Sequence, residues 1–250
     1  MSNTLIVVPC FNESQRLRAD SFGEFASRHP NVRFLFVNDG STDDTLVALR
    51  SIESSAPERF SVLELRQNSG KAEAVRRGML QAFETDGELV GFWDVDLATP
   101  LDAIIEFEQL LHAKPELDMV FGSRVKLLGR SVERSPMRHY AGRVLATATS
   151  LTLGLAIYDT QCGAKLFRAT PEVRSLFRDA FVSGWMFDVE IIARLIRTRR
   201  LHGGSDVARS IYEYPLTEWR DVEGSKVRPM DFPRAFLELL RIWRAELRQG

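Results

Sequence analysis

The sequence is poor in the residues that build metal clusters and disulfide frameworks. Its 250 residues hold two cysteines and four histidines. Cys10 and Cys162 follow different elements and form no paired framework, which fits a reduced, cytoplasmic setting. The histidines are scattered without metal-ligand spacing. Neither sign of charge is in surplus: 33 Lys and Arg against 34 Asp and Glu leave a net charge of −1. No global basic field calls for nucleic acid, so any anion must be bound locally. Long apolar runs are missing as well. The most apolar window, "VLATATSLTLGLAIY" from Val144 to Tyr158, is broken by threonines and falls short of the roughly 20 residues a spanning helix needs. The opening "MSNTLIVVPCFNE" lacks the basic region and long apolar stretch of a signal peptide. There is no internal repeat, no low-complexity tract and no linker, so residues 1–250 read as a single domain. No G-x-G-x-x-G or G-x-S-x-G occurs, which counts against a dinucleotide dehydrogenase and an α/β-hydrolase.

What is present is alternation. "TLIVVP", "VRFLFVN", "FSVLELR" and "ELVGFWDVD" are near-continuous apolar runs, as in parallel strands buried on both faces. Helical patterns over about 14–28, 42–54 and 70–84 separate them, which predicts a doubly wound, mostly parallel α/β sheet. A further helix follows "DVDLATP", with Thr99 as its N-cap and Pro100 at its first position. "LDMVFGSR", "CGAKLFR" and "VARSIYEYPL" read as later strands. Residues 137–154, "GWMFDVEIIARLIRTRR" and "DFPRAFLELLRIWRAELRQG" read as helices. The last is amphipathic: Phe232, Phe236, Leu239, Leu240, Trp243 and Leu247 share a face, with Arg234, Arg241, Arg244 and Arg248 adding positive charge. Packing on its own domain is the leading reading of that helix, and contact with an anionic membrane surface is the other.

Ligands of an open parallel sheet bind beyond the carboxyl ends of its strands. Here the strands end in "PCFNE", "NDGSTDD", "RQNSGK" and "DVD", so four strands put polar residues at one edge. Asp94 and Asp96, two apart on a strand, point the same way and would repel unless a cation lies between them. A hard ion, Mg²⁺ or Mn²⁺, takes one or two carboxylates and completes its shell with water and phosphate oxygens. Asp39 follows a strand at the crevice and could accept from a base N–H. Gly70 and Lys71, at a helix start, would hold a diphosphate, although the stretch is no P-loop because Ala72 follows the lysine.

Together "VVPCFNE", "VNDGSTDDT", "NSGKAEAVRRGM" and "DVDLATP", in this order, resemble glycosyltransferase family 2. The resemblance covers about residues 5–124 and implies a GT-A fold with a Rossmann-like donor half, a nucleotide-sugar donor and a divalent metal. It implies that Pro9, Asn12 and Glu13 line the nucleotide pocket, that Asp39 meets the base, that Lys71 lies near the nucleotide, and that Asp94 and Asp96 bind the metal. "FGSRV", "DTQCGAKLFR", "GWMFDVEII" and "EWRDVEGSKV" are similar to the polyprenyl-phosphate sugar transferases, most to the dolichyl-phosphate β-glucosyltransferase type. That likeness implies a polyprenyl phosphate acceptor held by Arg124 and Arg138, and Lys226 on a lid over the diphosphates. Ala98 stands where some mannose synthases carry a metal-binding glutamine, so UDP-glucose comes before GDP-mannose as the expected donor. The chain then divides into a donor half to about 124 and an acceptor half from about 125. The acceptor half contains a mobile loop over 218–229. The expected place is the cytoplasm, at the membrane face if the acceptor is a lipid.

An ionised phosphate acceptor needs no strong base, and two arginines suit it. A hydroxyl acceptor, on a sugar, a small molecule or a protein, needs a carboxylate to take its proton. Asp188 is the first candidate and Glu190 the second, with a dipole-favoured carboxylate at a helix start as the competing reading of both. Gln161 and Lys165 either shape the sugar pocket or hydrogen-bond at the core edge. Trp185 either stacks on a sugar or is core.

Overall fold

The computed structural model describes residues 3–133, 136–220, 222 and 231–248, with side chains described outside 133–141 and 231–232. The first half runs β1 (Thr4–Cys10), α1 (Ala19–Arg28), β2 (Val32–Asp39), α2 (Thr45–Ser55), β3 (Phe60–Leu65), α3 (Lys71–Ala82), β4 (Leu89–Trp93), α4 (Ala103–Ala113) and β5 (Met119–Ser123). The second half continues with β6 (Ser131–Glu133), α5 (Pro136–Leu153), β7 (Ala164–Arg168), α6 (Pro171–Ser175), α7 (Phe187–His202), α8 (Val207–Ser210), β8 (Ile211–Pro215), β9 (Glu218–Arg220) and α9 (Asp231–Ile242). A π-helical turn over Trp243–Leu247 extends α9.

Seven strands form one sheet in the order β3-β2-β1-β4-β7-β5-β8. All neighbours are parallel except β7, which runs antiparallel between β4 and β5. The apolar runs explain the layering. Leu5 and Val7 of β1 face one core layer, with Val75 and Met79 of α3, Ile192 of α7 and Leu239 of α9. Ile6 and Val8 face the other, with Phe22 and Phe25 of α1, Leu49 of α2 and Phe107 of α4. Successive strand residues point to opposite faces, so a run apolar at every position must be covered on both sides.

Several helices start later than their patterns suggest. The helix expected from residue 14 begins at Ala19, because residues 13–17 form a turn in which Arg16 and Leu17 donate to the Glu13 carbonyl. The second begins at Thr45 rather than 42, since the Thr42 amide is taken by the Asn12 side chain. Thr99 does not cap α4. Its hydroxyl faces the Cys162 sulfur at 3.7 Å, and a turn of i to i+3 bonds over 100–105 leads into the helix at Ala103. In "VARSIYEYPL" the first four residues are the helical turn α8, and only Ile211–Pro215 is strand.

Part of the segment expected to be mobile is ordered. Glu218–Arg220 is the strand β9, paired in parallel with β6. Residues 221 and 223–230, with Lys226, lie outside the described residues. The final helix divides its apolar residues between two stripes. Ala235, Leu239, Ile242 and Leu247 are buried, whereas Phe236, Leu240 and Trp243 are 42%, 42% and 40% exposed. Packing therefore uses one stripe and leaves the other uncovered by the described residues. Phe232, expected on the same face, has no described side chain.

Candidate active site

The carboxyl ends of β1, β2 and β4 open on a cavity of about 600 Å³, within the range of small-molecule sites. Pro9, Glu13, Asp39, Gly70, Lys71, Asp94 and Asp96 all line it. From the second half come Arg124, Gln161, Trp185 and Asp188. Residues more than 170 positions apart thus meet at one sheet edge: β1, β2, β4 and β5 run toward it, the loop before the antiparallel β7 lies there, and α7 begins beside it.

The aspartate pair converges for a different reason than strand alternation. β4 ends at Trp93, so Asp94 to Asp96 lie in a turn beyond it. The Leu97 amide donates to the Asp94 carbonyl, Leu97 adopts φ 53°, and the Ala98 amide donates to Asp96 Oδ1 at 3.1 Å. The Trp93 indole anchors the turn by donating to the Thr99 carbonyl at 3.0 Å. The Asp94 amide donates to the Gly163 carbonyl, and the Asp94 carboxylate lies against Gly163 itself. A Cβ at position 163 would sit 1.9 Å from Asp94 Oδ2, so only glycine leaves room for the acid.

Cations already attend these acids. Lys71 Nζ stands 2.5 Å from Asp94 Oδ1, and Arg16 Nη1 is 3.8 Å from Asp96 Oδ2. Burial pushes the Asp96 carboxyl up from the usual range, and the Asp94 charge adds to this. Burial works against the Lys71 ammonium, but Asp94 and Asp188 outweigh it and raise its pKa. Two hard carboxylates that strain against each other fit a hard divalent ion that draws its remaining ligands from water and phosphate. Among the described residues no group of three or more His, Cys, Asp or Glu could hold a metal.

Asp39, the last residue of β2, accepts the Ser69 amide at 2.7 Å and the Gly70 amide at 2.9 Å, one on each oxygen. It draws the loop before α3 over the cavity, and Gly70 at φ 89° makes the bend a side chain would resist. Glu13 accepts Arg16 Nε at 2.6 Å and Nη2 at 2.7 Å. Asn12 does not line the cavity. It adopts φ 52°, and its side chain ties the first loop to the second through the Thr42 amide at 2.8 Å.

On the second-half side Arg124 is clamped. Its Nε and Nη2 reach Asp159 at 2.6 and 2.7 Å, and its guanidinium lies 5.3 Å from the Trp219 ring centroid. Burial opposes the charge, yet Asp159 more than restores it and raises the Arg124 pKa. Arg143 lines the cavity beside Tyr158. The side chain of Arg138 is outside the described residues. Lys165 does not line the cavity. It is 2% exposed, donates to the Thr160 and Cys162 carbonyls at 3.0 and 2.6 Å, and stands 2.5 Å from Asp188 Oδ1. Burial raises the Asp188 pKa, and the ammoniums of Lys165 and Lys71 offset part of that. Glu190 is turned inward, accepting from Ser183 and Arg194, and belongs to the core. Trp185 precedes α7 and lines the cavity, with its amide donating to Glu238 of α9 at 2.9 Å.

Sequence reasoning does not single out Arg16, Asp159 or Gly163. Asp159 and Gly163 sit in "DTQCGAKLFR", but only the fold reveals which strand end each one meets. The arrangement can bind an anionic ligand on one side, a second anion on the other, and a hard cation between.

Comparison with known proteins follows the same outline. The family model for glycosyl transferase family 2 matches residues 5–181. A dolichyl-phosphate beta-glucosyltransferase of Drosophila melanogaster is 34% identical over 257 residues, covering 95% of this chain and 73% of that protein. One from Trichomonas vaginalis is 30% identical, covering 96% and 70%. Among solved structures, glucosyl-3-phosphoglycerate synthase from Mycobacterium tuberculosis, in complex with Mn²⁺ and UDP-glucose, superposes with a TM-score of 0.67 at 20% identity. That match covers 97% of this chain and 79% of that one, a likeness of fold. With its mostly parallel sheet, its aspartate pair at the β4 end and this match over most of its length, the chain belongs to glycosyl transferase family 2 and has the GT-A fold.

Proposed function

We propose that the protein transfers glucose from UDP-glucose to a polyprenyl phosphate, with inversion at the anomeric carbon. The observation that carries this reading is the convergence of Lys71, Asp94 and Asp96 on one wall of the cavity with Arg124 on the other. The names of the relatives in fly and Trichomonas support the donor and acceptor. On this reading residues to about 124 bind donor and the remainder binds acceptor within one domain. Pro9, Glu13 and Asp39 frame the nucleoside, and Gly70 and Lys71 face the diphosphate. Asp94 and Asp96 would hold Mg²⁺ or Mn²⁺, which neutralises charge on the departing diphosphate when bound. Lys71 supplies a fixed positive charge for the same leaving group. Arg124 orients the acceptor phosphate, which arrives ionised and needs no base. Gln161 borders the sugar. Lys165 acts through Asp188, keeping that carboxylate in place at the cavity wall. Arg138 and Lys226 belong to the acceptor side and the lid in the same reading.

The uncovered stripe Phe236, Leu240 and Trp243, beside exposed Arg241 and Arg244, suits contact with an anionic bilayer from the cytoplasmic side. Among the described residues no helix is long and apolar enough to cross a membrane.

A second reading rests on Asp188, a cavity carboxyl whose raised pKa would suit a base for a hydroxyl acceptor. One experiment decides between them. Labelled UDP-glucose, Mn²⁺ and a short-chain polyprenyl phosphate should place label in the organic phase, and GDP-mannose should do so less well. Label confined to water-soluble glucosides would favour the hydroxyl acceptor.

A further inference from the structure

No regular secondary structure links Leu153 to Ala164, yet this stretch carries the residues that grip two of the cavity's arginines, Arg124 and Arg143. Asp159 binds Arg124 through both carboxylate oxygens and also accepts the Arg124 amide at 3.1 Å. Tyr158 holds Arg143 twice. Its carbonyl accepts Nη1 at 3.1 Å, and its ring lies 3.8 Å from the guanidinium carbon. Two adjacent residues of an irregular segment therefore set the positions of two cations.

A segment without a hydrogen-bonded ladder needs another source of rigidity. It comes from Glu213 on β8, at the sheet edge. Both Glu213 oxygens accept the Tyr158 amide, at 3.0 and 2.8 Å, and Oε1 also accepts the Asp159 amide at 2.6 Å. Bonds from amides to a carboxylate are stronger than those to a neutral acceptor. Glu213 itself is half-buried and absent from the cavity wall. Its strand is locked to β5, whose last residue precedes Arg124, with Phe121 opposite Glu213. The same pair of strands thus fixes Arg124 by sequence and the 158–159 turn by a side chain.

We infer that Glu213 is a positioning residue: by holding the Tyr158–Asp159 turn, it presets Arg124 and Arg143 as a paired site for one phosphate monoester. This rests on the reading of the acceptor as a phosphate. The monoester could be a lipid phosphate or a small soluble phosphate ester, since the two guanidiniums see only the phosphate.

The test is titration of inorganic phosphate onto the protein loaded with UDP and Mn²⁺, so that the diphosphate subsite is filled. Glu213→Ala should weaken phosphate binding at least tenfold and leave UDP affinity within twofold of wild type. Glu213→Gln keeps an acceptor oxygen and should lose less than threefold. Tyr158→Leu removes the ring but keeps the amide and carbonyl, and should cost three- to tenfold. That variant and Glu213→Gln carry the test if Glu213→Ala does not fold. In turnover, KM for the acceptor should rise in the same order while KM for UDP-glucose holds. Phosphate affinity unchanged in Glu213→Ala, or lost in step with UDP affinity, would overturn the inference. A parallel assay of wild type with polyprenyl phosphate and with 3-phosphoglycerate separates lipid from soluble acceptor. Failure of both as acceptors would sink the proposed reaction, while the titration would still decide whether Glu213 presets the paired arginines.

Discussion

The two walls of the cavity are built by different means. On the wall that the proposed reading gives to the donor, the acids sit at or just beyond strand ends and take backbone amides as well as cations: Asp39 takes Ser69 and Gly70, Asp96 takes Ala98 and Arg16, and Asp94 takes Lys71. On the wall that this reading gives to the acceptor, the charges are steadied chiefly by one another: Arg124 by Asp159, Asp188 by Lys165. A parallel sheet delivers the first kind automatically, because every strand ends at one edge. The second kind needs β7 to enter the sheet antiparallel and place its preceding loop against β4 and β5. Donor-side changes should therefore act mainly on kcat and on donor binding, and acceptor-side changes on the acceptor alone.

The largest break in this contrast should come from the aspartate pair. Asp94→Asn or Asp96→Asn should lower kcat by about 10²–10³-fold, the usual cost of removing one electrostatic stabiliser. A chelator should do the same to wild type and little more to the variants. Full-speed turnover by either variant would rule out a metal held by these acids.

Gly163→Ala comes next. The added Cβ cannot coexist with the present Asp94 carboxylate, so the acid must move. Displacements of about 1 Å can cost about 10²-fold. Steady-state kinetics should show that loss although position 163 belongs to the second-half loop, joining the two walls at one point.

A matched pair then sharpens the contrast. Asp39→Asn loses charged acceptors for two amides, and Asp159→Asn loses the charge partner of Arg124. With bonds to charged groups worth about 1.5–3 kcal/mol, each should raise one KM by about ten- to a hundredfold: UDP-glucose for Asp39→Asn, the acceptor for Asp159→Asn. Equal effects on both KM values in either variant would dissolve the distinction.

The smallest effect concerns stability behind the donor wall. On α3, Arg76 and then Arg77 hold the Glu73 carboxyl down to about 2, although burial works against them. A depressed acid stabilises the fold above its ordinary value of 4.5 and loses that contribution as pH falls toward 2. Glu73→Gln should melt about 2–4 °C below wild type at pH 6, the shift about 1 kcal/mol gives in a chain this size. The gap should close as thermal scans move from pH 5 to pH 3. A gap that widens in acid would mean that the Glu73 carboxyl is not held down by its arginines.

Legibility follows these two modes of construction. The apolar strands, the four polar strand ends and the aspartate pair are readable because each depends on period and adjacency within a short stretch. Helix starts are shifted where a side chain from another loop, such as Asn12 on the Thr42 amide, claims the expected first turn. Lys165 resembles a pocket residue in the sequence because a lysine beside a strand carries no mark of its burial. Only its contacts with Asp188 and two carbonyls reveal it as internal. Arg143 is one of several nearby arginines, which spacing alone cannot rank.

By itself the sequence determined the doubly wound sheet, the edge where the cavity opens, and the identity of the acids placed there. These follow from local patterns that hydrophobic burial converts directly into strands and helices. Only the tertiary structure decided which cations face which acids, that Gly163 makes room for Asp94, and that Glu213 steadies the turn between the arginines. Such pairings join residues far apart along the chain, and their energies depend on distance and burial that exist only once the chain has folded.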